Sequence, residues 1–387
     1  MADRATVLIV GAGPAGLVLG NLLRANGIDT LILERGSRAK VQNRARAGFL
    51  GANSARVLTE HGLGAGMLHN GHQHDTCAFR DENGQFELDY RQLGRGEVHT
   101  VYPQQHLVTD LIAEYLDRGG RLRFGVTVTH IDPTTATVSY EGGQAQGRFV
   151  VGCDGSNGMS RRAVPARRQA RDHGVAWLAV LAEAPPSMGT TTYAMHDNGF
   201  AGHMARGPQV TRYYLQVRAD GNTAATDPAD WSDERIWSEL RLRMRVDQFG
   251  PLREGPVIER RIVRLRSDVL DSLQHQRLFL AGDAASLISP SAAKGANLAI
   301  MEAELLAAAL TDALARDDEH ALAAYSSACR PRIWRAQEFS HWMITLLHGP
   351  DDGPDADFHR LLRRARLDSL RDSRAHQDFF AENYVGI

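Results

Sequence analysis

From Thr6 to Val10 the chain reads TVLIV, an apolar run suited to a strand covered on both faces. The glycine-rich GAGPAG follows, then a helical pattern to Arg24 that Asn26-Gly27 brings to a stop. A second apolar run, TLILER, carries Glu34 near its end. Together these segments predict a strand–turn–helix–strand unit. Two more apolar runs stand far downstream: RFVVGCDG, leading into Asp154-Gly155, and QRLFLAGD, ending in Gly282-Asp283. A long alanine-rich helix is expected to start near Gly295. From about residue 173 to 264 the pattern shortens to GVAWLAVLAE, TTYAMHD, GFAGHMA and TRYYLQVR, which reads as a mainly antiparallel sheet. The tail from Arg330 is mostly helical. The expected class is α/β. Residues 1–70, 98–172 and 265–345 make a discontinuous Rossmann-like domain, 71–97 and 173–264 an inserted sheet domain, and 346–387 a helical C-terminal segment.

The first turn has a specific chemistry. Gly11 permits the tight turn, Gly13 lets a pyrophosphate approach the backbone, and Gly16 lets the helix pack close. The helix N-terminus then faces the phosphates, and Glu34, 18 positions after Gly16, accepts hydrogen bonds from a ribose. A bare glycine motif is weak evidence, but here strand, turn, helix, strand and acid all stand where a dinucleotide requires them.

In GHMARGPQVTRYY, side chains alternate faces. A five-residue connection, GPQVT, would set Arg206 opposite Arg212 and Met204 opposite Tyr214. Two opposed like charges are unfavourable, so a bound anion between them is the expected reason for the arrangement.

Composition narrows the classes. The chain has 387 residues with 43% hydrophobic and 23% charged, long enough for more than one domain. A formal net charge of −2 gives no reason to expect nucleic acid or an anionic membrane as partner. Three widely separated cysteines, with no metal-ligand spacing, suit a reducing cytoplasm and predict no metal. The run TVLIVGAGPAGLVLGNLL lacks the basic flank and cleavage site of a leader and is too glycine-punctuated for a membrane span, so a cytoplasmic location is expected.

The glycine turn, the DG segment at Asp154-Gly155 and the GD segment at Gly282-Asp283, in that order, resemble the flavoprotein aromatic hydroxylases, the group A monooxygenases. The pieces RARAGFL, TVYPQ, GCDGSNGMSR, WSDER, RYYLQV, AGDAAS, AKGANLA and AENYVG resemble the branch of that family acting on 4-hydroxybenzoate and extend the likeness from residue 6 to 387. The resemblance implies a glutathione-reductase-type FAD domain and a single-component enzyme. NADPH or NADH would reduce FAD, and O2 would add at flavin C4a to give the hydroperoxide that hydroxylates an aromatic acid. Gly11, Gly13, Gly16, Glu34, Arg35, Arg44, Arg46, Gln104, Asp154 and Asp283 are then FAD contacts, with Lys294 and Asn297 near the flavin ring and Arg212 beneath it. Arg206 would clamp the substrate carboxylate beside Tyr214. Tyr193 and Tyr384 would relay the phenolic proton, and the Pro290 carbonyl would accept the phenol hydrogen bond. Arg35, Asn157, Arg161 and Arg266 are the nicotinamide candidates, and Asn157 stands where the family carries a histidine.

The match breaks at three positions. Met204 replaces a serine that bonds the substrate carboxylate, and Gly202 and Thr191 replace leucines that line the ring pocket. A wider pocket and a ring-substituted substrate such as 3-amino-4-hydroxybenzoate are expected, with hydroxylation at another position such as C2; plain 4-hydroxybenzoate is the alternative. A halogenase or other oxidoreductase on the same fold, and a flavin-binding sensor, are the competing classes. A second copy of the chain is the one candidate macromolecular partner.

Overall fold

The computed structural model describes residues 3–44, 48–218, 230–348 and 354–386. Its first layer is a six-stranded sheet in the order Gln274–His275, Leu278–Leu280, Phe149–Gly152, Val7–Val10, Thr30–Glu34 and Arg121–Phe124. The strands run parallel except the first. The apolar run at Val7–Val10 is fully buried at its centre because helices Pro14–Ala25, Gln104–Asp117 and Gly295–Arg316 contribute apolar faces to the same core. Strands covered on both sides need no alternation. The helix expected near Gly295 begins at that residue.

The second layer is an eight-stranded sheet. Its order is Ser286–Leu287, Val257–Leu270, Arg168–Ala182, Val210–Arg218, Ala201–Gly207, Thr191–Ala194, Thr76–Asp81 and Gly84–Asp89. All neighbours are antiparallel except Thr191–Ala194 with Thr76–Asp81. The boundaries expected at 172/173 and 264/265 fall inside two strands that run unbroken from 168 to 182 and from 257 to 270. The two domains therefore share continuous backbone rather than flexible linkers.

Alternation divides the residues of this sheet between two jobs. Leu178, Val180, Ala201, Tyr213 and Leu215 face helix Asp233–Arg243 and close a core with Ile236, Trp237 and Leu240. Their neighbours in sequence face the other way, toward the six-stranded-sheet domain and the C-terminal helices. Phe79, Tyr193, Gly202, Tyr214 and Ala179 lie side by side across five strands on that second face. Helices Tyr325–Leu347, Ala356–Asp372 and Arg374–Val385 complete the enclosure, and Tyr384 on the last of them is 1% exposed.

The expected hairpin register is not the one formed. Gly207 pairs with Val210, so the connection is the two-residue turn Pro208-Gln209 and not the five residues GPQVT. Met204 opposes Arg212, Gly202 opposes Tyr214, and Arg206 lies in a bulge between Ala205 and Gly207. Neither Pro208 nor Gln209 has a positive φ, so the turn is not one of the primed types that match strand twist. The bulge beside it adds that twist.

Candidate active site

The glycine turn has the shape that a dinucleotide requires. At Gly11, φ is +106°, and an added Cβ would lie 2.4 Å from the Cys153 carbonyl oxygen. At Gly16 an added Cβ would meet the Gly11 oxygen at 2.1 Å, so only glycine lets the helix sit this close to the turn. Around Gly13, by contrast, there is nothing within 4 Å of an added Cβ. Gly13 is the N-cap of helix Pro14–Ala25 and provides no capping side chain, which leaves the helix N-terminus facing open space. An unfilled cradle at an uncapped helix start suits a pyrophosphate. Glu34 accepts from the Ala12 N–H at 2.8 Å and the Gly36 N–H at 2.7 Å. Those two bonds fix its carboxylate and leave acceptor capacity for a ribose. The residues present fit FAD.

Opposite this turn lies the GD segment. Gly282 has φ +66°, and its N–H donates to Glu302 Oε2 at 2.5 Å. Glu302, which the motif reading missed, is 3% exposed. Burial first, and the Asp283 charge, push its carboxyl up to about 8. The acid is neutral at pH 7, so it orders the turn without adding a negative charge beside a diphosphate. Asp283 itself is half-buried. Asp154 accepts from the Ser160 N–H at 3.0 Å and packs where a side chain on Gly158 would stand. Its contacts order the loop after the DG segment.

Asn297 spends its amide on backbone: its Oδ1 accepts from the Gly51 N–H at 2.8 Å, and its Nδ2 donates to the Phe49 and Ala293 carbonyls at 3.0 Å. It thereby pins the 49–51 segment to the start of helix Gly295–Arg316. Ala293, with φ +54°, holds a left-handed conformation there. Lys294 is 1% exposed, and its Nζ donates to the Tyr384 carbonyl at 2.8 Å. Burial, with the Arg335 charge adding, lowers its ammonium to about 7. Pro290 is exposed, and its carbonyl accepts from the Ala293 N–H at 3.1 Å. Gln104 is buried at the start of its helix, Arg35 and Arg44 are exposed, and Arg46 lies outside the described residues.

On the sheet face, Tyr193 and Tyr384 meet hydroxyl to hydroxyl at 2.5 Å. Both are buried, and burial is the main cause holding each phenol well above its ordinary range. Two strands away, Tyr214 packs on Trp177 with ring centroids 4.9 Å apart and lies beside Arg206. Desolvation lowers the Arg206 guanidinium, the Arg212 charge adds to this, and Tyr214 opposes it. The expected face-to-face arginine pair is corrected here: Arg212 is 7% exposed and points to Glu259, with N–O distances of 3.4–3.5 Å. Its charge is balanced by that carboxylate, so no anion between the arginines is needed to explain the strand pair.

Gly202 departs from expectation as well. An added Cβ there would lie 2.9 Å from Phe200 Cζ, so the Phe200 ring already occupies the space that a larger residue at 202 would fill. Glycine does not simply widen the pocket; it admits an aromatic wall of Phe200, Trp177 and His348. The sequence reading missed these residues. Thr191 is 3% exposed and begins its strand. The register of that strand, continued one residue, sets Thr191 against Met204, which is half-buried.

Of the nicotinamide candidates, Asn157, Arg161 and Arg266 lie near one another through the contacts of Arg161 with Ser156 and Asp268. Arg161 is locked to Asp268 Oδ1 at 2.8 Å and to the Ser156 carbonyl at 3.0 Å. With its side chain 8% exposed, it is a structural cation rather than a surface one. Arg266 pairs with Asp172 at 3.1 Å on the surface, and Asn157 is exposed. Among the described residues no group of three or more His, Cys, Asp or Glu could hold a metal ion, and no helix is long and apolar enough to cross a membrane.

A family model described as an FAD binding domain matches residues 4–340. The chain is 34% identical over 98% of its length, and 95% of the relative's, to a p-hydroxybenzoate hydroxylase of Acinetobacter baylyi. A 3-(3-hydroxy-phenyl)propionate/3-hydroxycinnamic acid hydroxylase of Mycolicibacterium gilvum is 26% identical over 77% of this chain and 52% of that one. Among solved structures, a p-nitrophenol 4-monooxygenase of Pseudomonas putida superposes with a TM-score of 0.80 over 99% of both chains at 20% identity. A Diels–Alderase of pyrroindomycin biosynthesis gives 0.81 over all of this chain and 81% of that one, also at 20%. The last two likenesses establish the fold alone, since the same fold hosts a different reaction.

Proposed function

Because the chain belongs to the flavoprotein aromatic hydroxylases, the FAD- and NAD(P)H-dependent group A monooxygenases, we propose that it hydroxylates a ring-substituted 4-hydroxybenzoate such as 3-amino-4-hydroxybenzoate. One observation carries the reading. Tyr193 and Tyr214 flank Gly202 on a single sheet face, two strand spacings or about 10 Å apart at the backbone. At one end stands the Arg206–Tyr214 pair and at the other the Tyr193–Tyr384 pair. A cation at one end and a hydroxyl chain at the other complement a ring with a carboxylate and a phenol in para positions.

Each residue then has a defined task. Arg206 holds the carboxylate through its paired N–H groups, and the Tyr214 hydroxyl orients it. Tyr193 accepts the phenolic proton as its own hydroxyl proton shifts to Tyr384, which in turn gives one up toward bulk water, so neither hydroxyl changes its charge. The buried site disfavours tyrosinate, so the pair acts as a conduit and not a store. Removing that proton raises the electron density of the ring carbon ortho to the oxygen, where the substrate attacks. Bound FAD, reduced by NAD(P)H and reacting with O2, supplies the electrophilic oxygen. Lys294 ties the helix carrying Tyr384 to the start of the helix after the GD segment.

Met204 supports the substituted substrate. A thioether gives no donor and only a weak acceptor, so a carboxylate seated beside it depends on Arg206 and Tyr214. Phe200 fills the space at Gly202, so a ring substituent would have to be accommodated on the side of Met204 and Thr191. The test is oxygen-dependent NADPH and NADH oxidation by the FAD-loaded enzyme with a panel of substituted 4-hydroxybenzoates and product identification. Coupled turnover highest for plain 4-hydroxybenzoate would reject the substituted substrate and leave the hydroxylase standing.

A further inference from the structure

We infer that His348 is a positioning residue for the aromatic-acid end of the site, holding Trp177 as the wall that sets Tyr214 and Arg206. The inference rests on the reading of Arg206 and Tyr214 as the carboxylate clamp. Its geometry is independent of that reading. The Trp177 Nε1–H donates to His348 Nε2 at 2.6 Å, with the two rings 26° from coplanar. An indole N–H can only donate, so Nε2 must present a lone pair. The ring proton then sits on Nδ1, which faces the Ile344 carbonyl at 3.1 Å. One tautomer satisfies both nitrogens, and both partners are buried.

The bond reaches across 171 residues of sequence, from the sheet to the end of helix Tyr325–Leu347. The same imidazole lies 5.0 Å from the Phe200 ring, whose edge stands over Gly202. Trp177 is thus held at its nitrogen by His348 and carries Tyr214 against its face at 4.9 Å. Burial is the main cause lowering His348 to about 3; the Arg363 charge on helix Ala356–Asp372 and His173 on the Arg168–Ala182 strand add to this, and the Ile344 carbonyl opposes it. His348 therefore stays neutral and keeps the acceptor that Trp177 requires. A histidine serving only as filler would need no such complementarity.

The experiment uses the FAD-loaded enzyme with 4-hydroxybenzoate and 3-amino-4-hydroxybenzoate as probes. Kd is read from the flavin absorbance change, with KM, kcat and the unfolding midpoint measured beside it. His348→Leu removes the acceptor, whereas His348→Gln offers an amide oxygen in its place. Expected is a KM and Kd rise of about tenfold in His348→Leu with kcat changed much less, and recovery to within about threefold in His348→Gln. Trp177→Phe removes the donor and should reproduce the Leu phenotype, which keeps the test available if His348→Leu does not fold. Equal loss in the Leu and Gln variants, or a lowered midpoint with unchanged Kd, overturns the inference. Arg206→Lys separates the two claims. Unchanged Kd in that variant overturns the clamp reading and this inference with it, whereas a raised Kd there beside an unchanged one in His348→Leu overturns the inference alone.

Discussion

Replacing Tyr193, Tyr384 or both by phenylalanine should separate what the tyrosine pair does for stability from what it does for chemistry. The two hydroxyls lie 2.5 Å apart, and both rings are within 2% of full burial. Tyr193→Phe keeps the ring packing against Phe79 and Phe200 but strands the Tyr384 hydroxyl in a dry site. An orphaned buried hydroxyl costs about 1–3 kcal/mol, and Tyr384→Phe strands the other oxygen at a similar cost. The double variant strands neither, since both polar groups leave together and the rings remain. It should therefore be more stable than either single variant, with a coupling close to the sum of the two single costs, about 2–6 kcal/mol. Activity should behave otherwise. Each single variant interrupts the proton path and should lose on the order of 10²-fold or more in hydroxylation, and the double should recover none of it. The assay pairs unfolding midpoints of the three FAD-loaded variants with product formation and the pH dependence of phenolate absorbance for bound 4-hydroxybenzoate. Strictly additive midpoints would refute the hydrogen-bond argument. Restored hydroxylation in the double variant would refute the relay.

Acid should expose the buried neutral histidines. His203 and His348, at 0% and 4% exposure, are held by burial at about 4 and about 3 against an unfolded value of 6.5. Below 6.5 the unfolded chain binds protons that the folded chain refuses, so each costs about 2 kcal/mol between pH 7 and 5. Glu302, raised to about 8, works in the opposite direction because its folded form keeps the proton. The His348 share is read as the difference between wild type and His348→Gln, and identical pH slopes would reject it. Asp268→Ala should destabilise by about 3–5 kcal/mol, because Arg161, with its side chain 8% exposed, loses a bidentate partner in a buried site. Arg168, with its side chain 63% exposed, adds little, so Arg168→Ala should shift the unfolding midpoint far less. Gly202→Ala pushes a Cβ to 2.9 Å from Phe200 Cζ and should cost about 1–3 kcal/mol as the ring gives way. The same change should alter the ratio of KM values for plain and substituted 4-hydroxybenzoate, which the substrate panel measures.

What could be read from the sequence was what repeats locally. TVLIV, GAGPAG and TLILER each state their conformation within a few residues, so the dinucleotide cradle was legible before any contact was known. Face alternation likewise placed Arg212 and Tyr214 of TRYYLQVR on one face, and the structure packs the other face against helix Asp233–Arg243. Register was not legible, because it depends on a single bulge. With Pro208-Gln209 as the turn, no primed hairpin forms, and the extra residue at Arg206 restores the twist. That one residue changes the electrostatic argument. Arg206 and Arg212 are not cross-strand partners, and Arg212 has its own carboxylate in Glu259, which is distant in sequence. Trp177 with His348, and Phe200 over Gly202, were hidden for related reasons: one contact spans 171 residues, and the other is the filling of a space by a neighbour's ring. The bulge also bears on function. An ordinary register would set two guanidinium groups directly opposite each other at the carboxylate end, where they would repel. Moving Arg206 out of the ladder avoids that direct opposition, with Arg212 paired to Glu259 even though its charge still acts on Arg206. The turn chemistry of Pro208-Gln209 and the bulge thus set Arg206 off the ladder and beside Tyr214, where the proposed carboxylate clamp requires it.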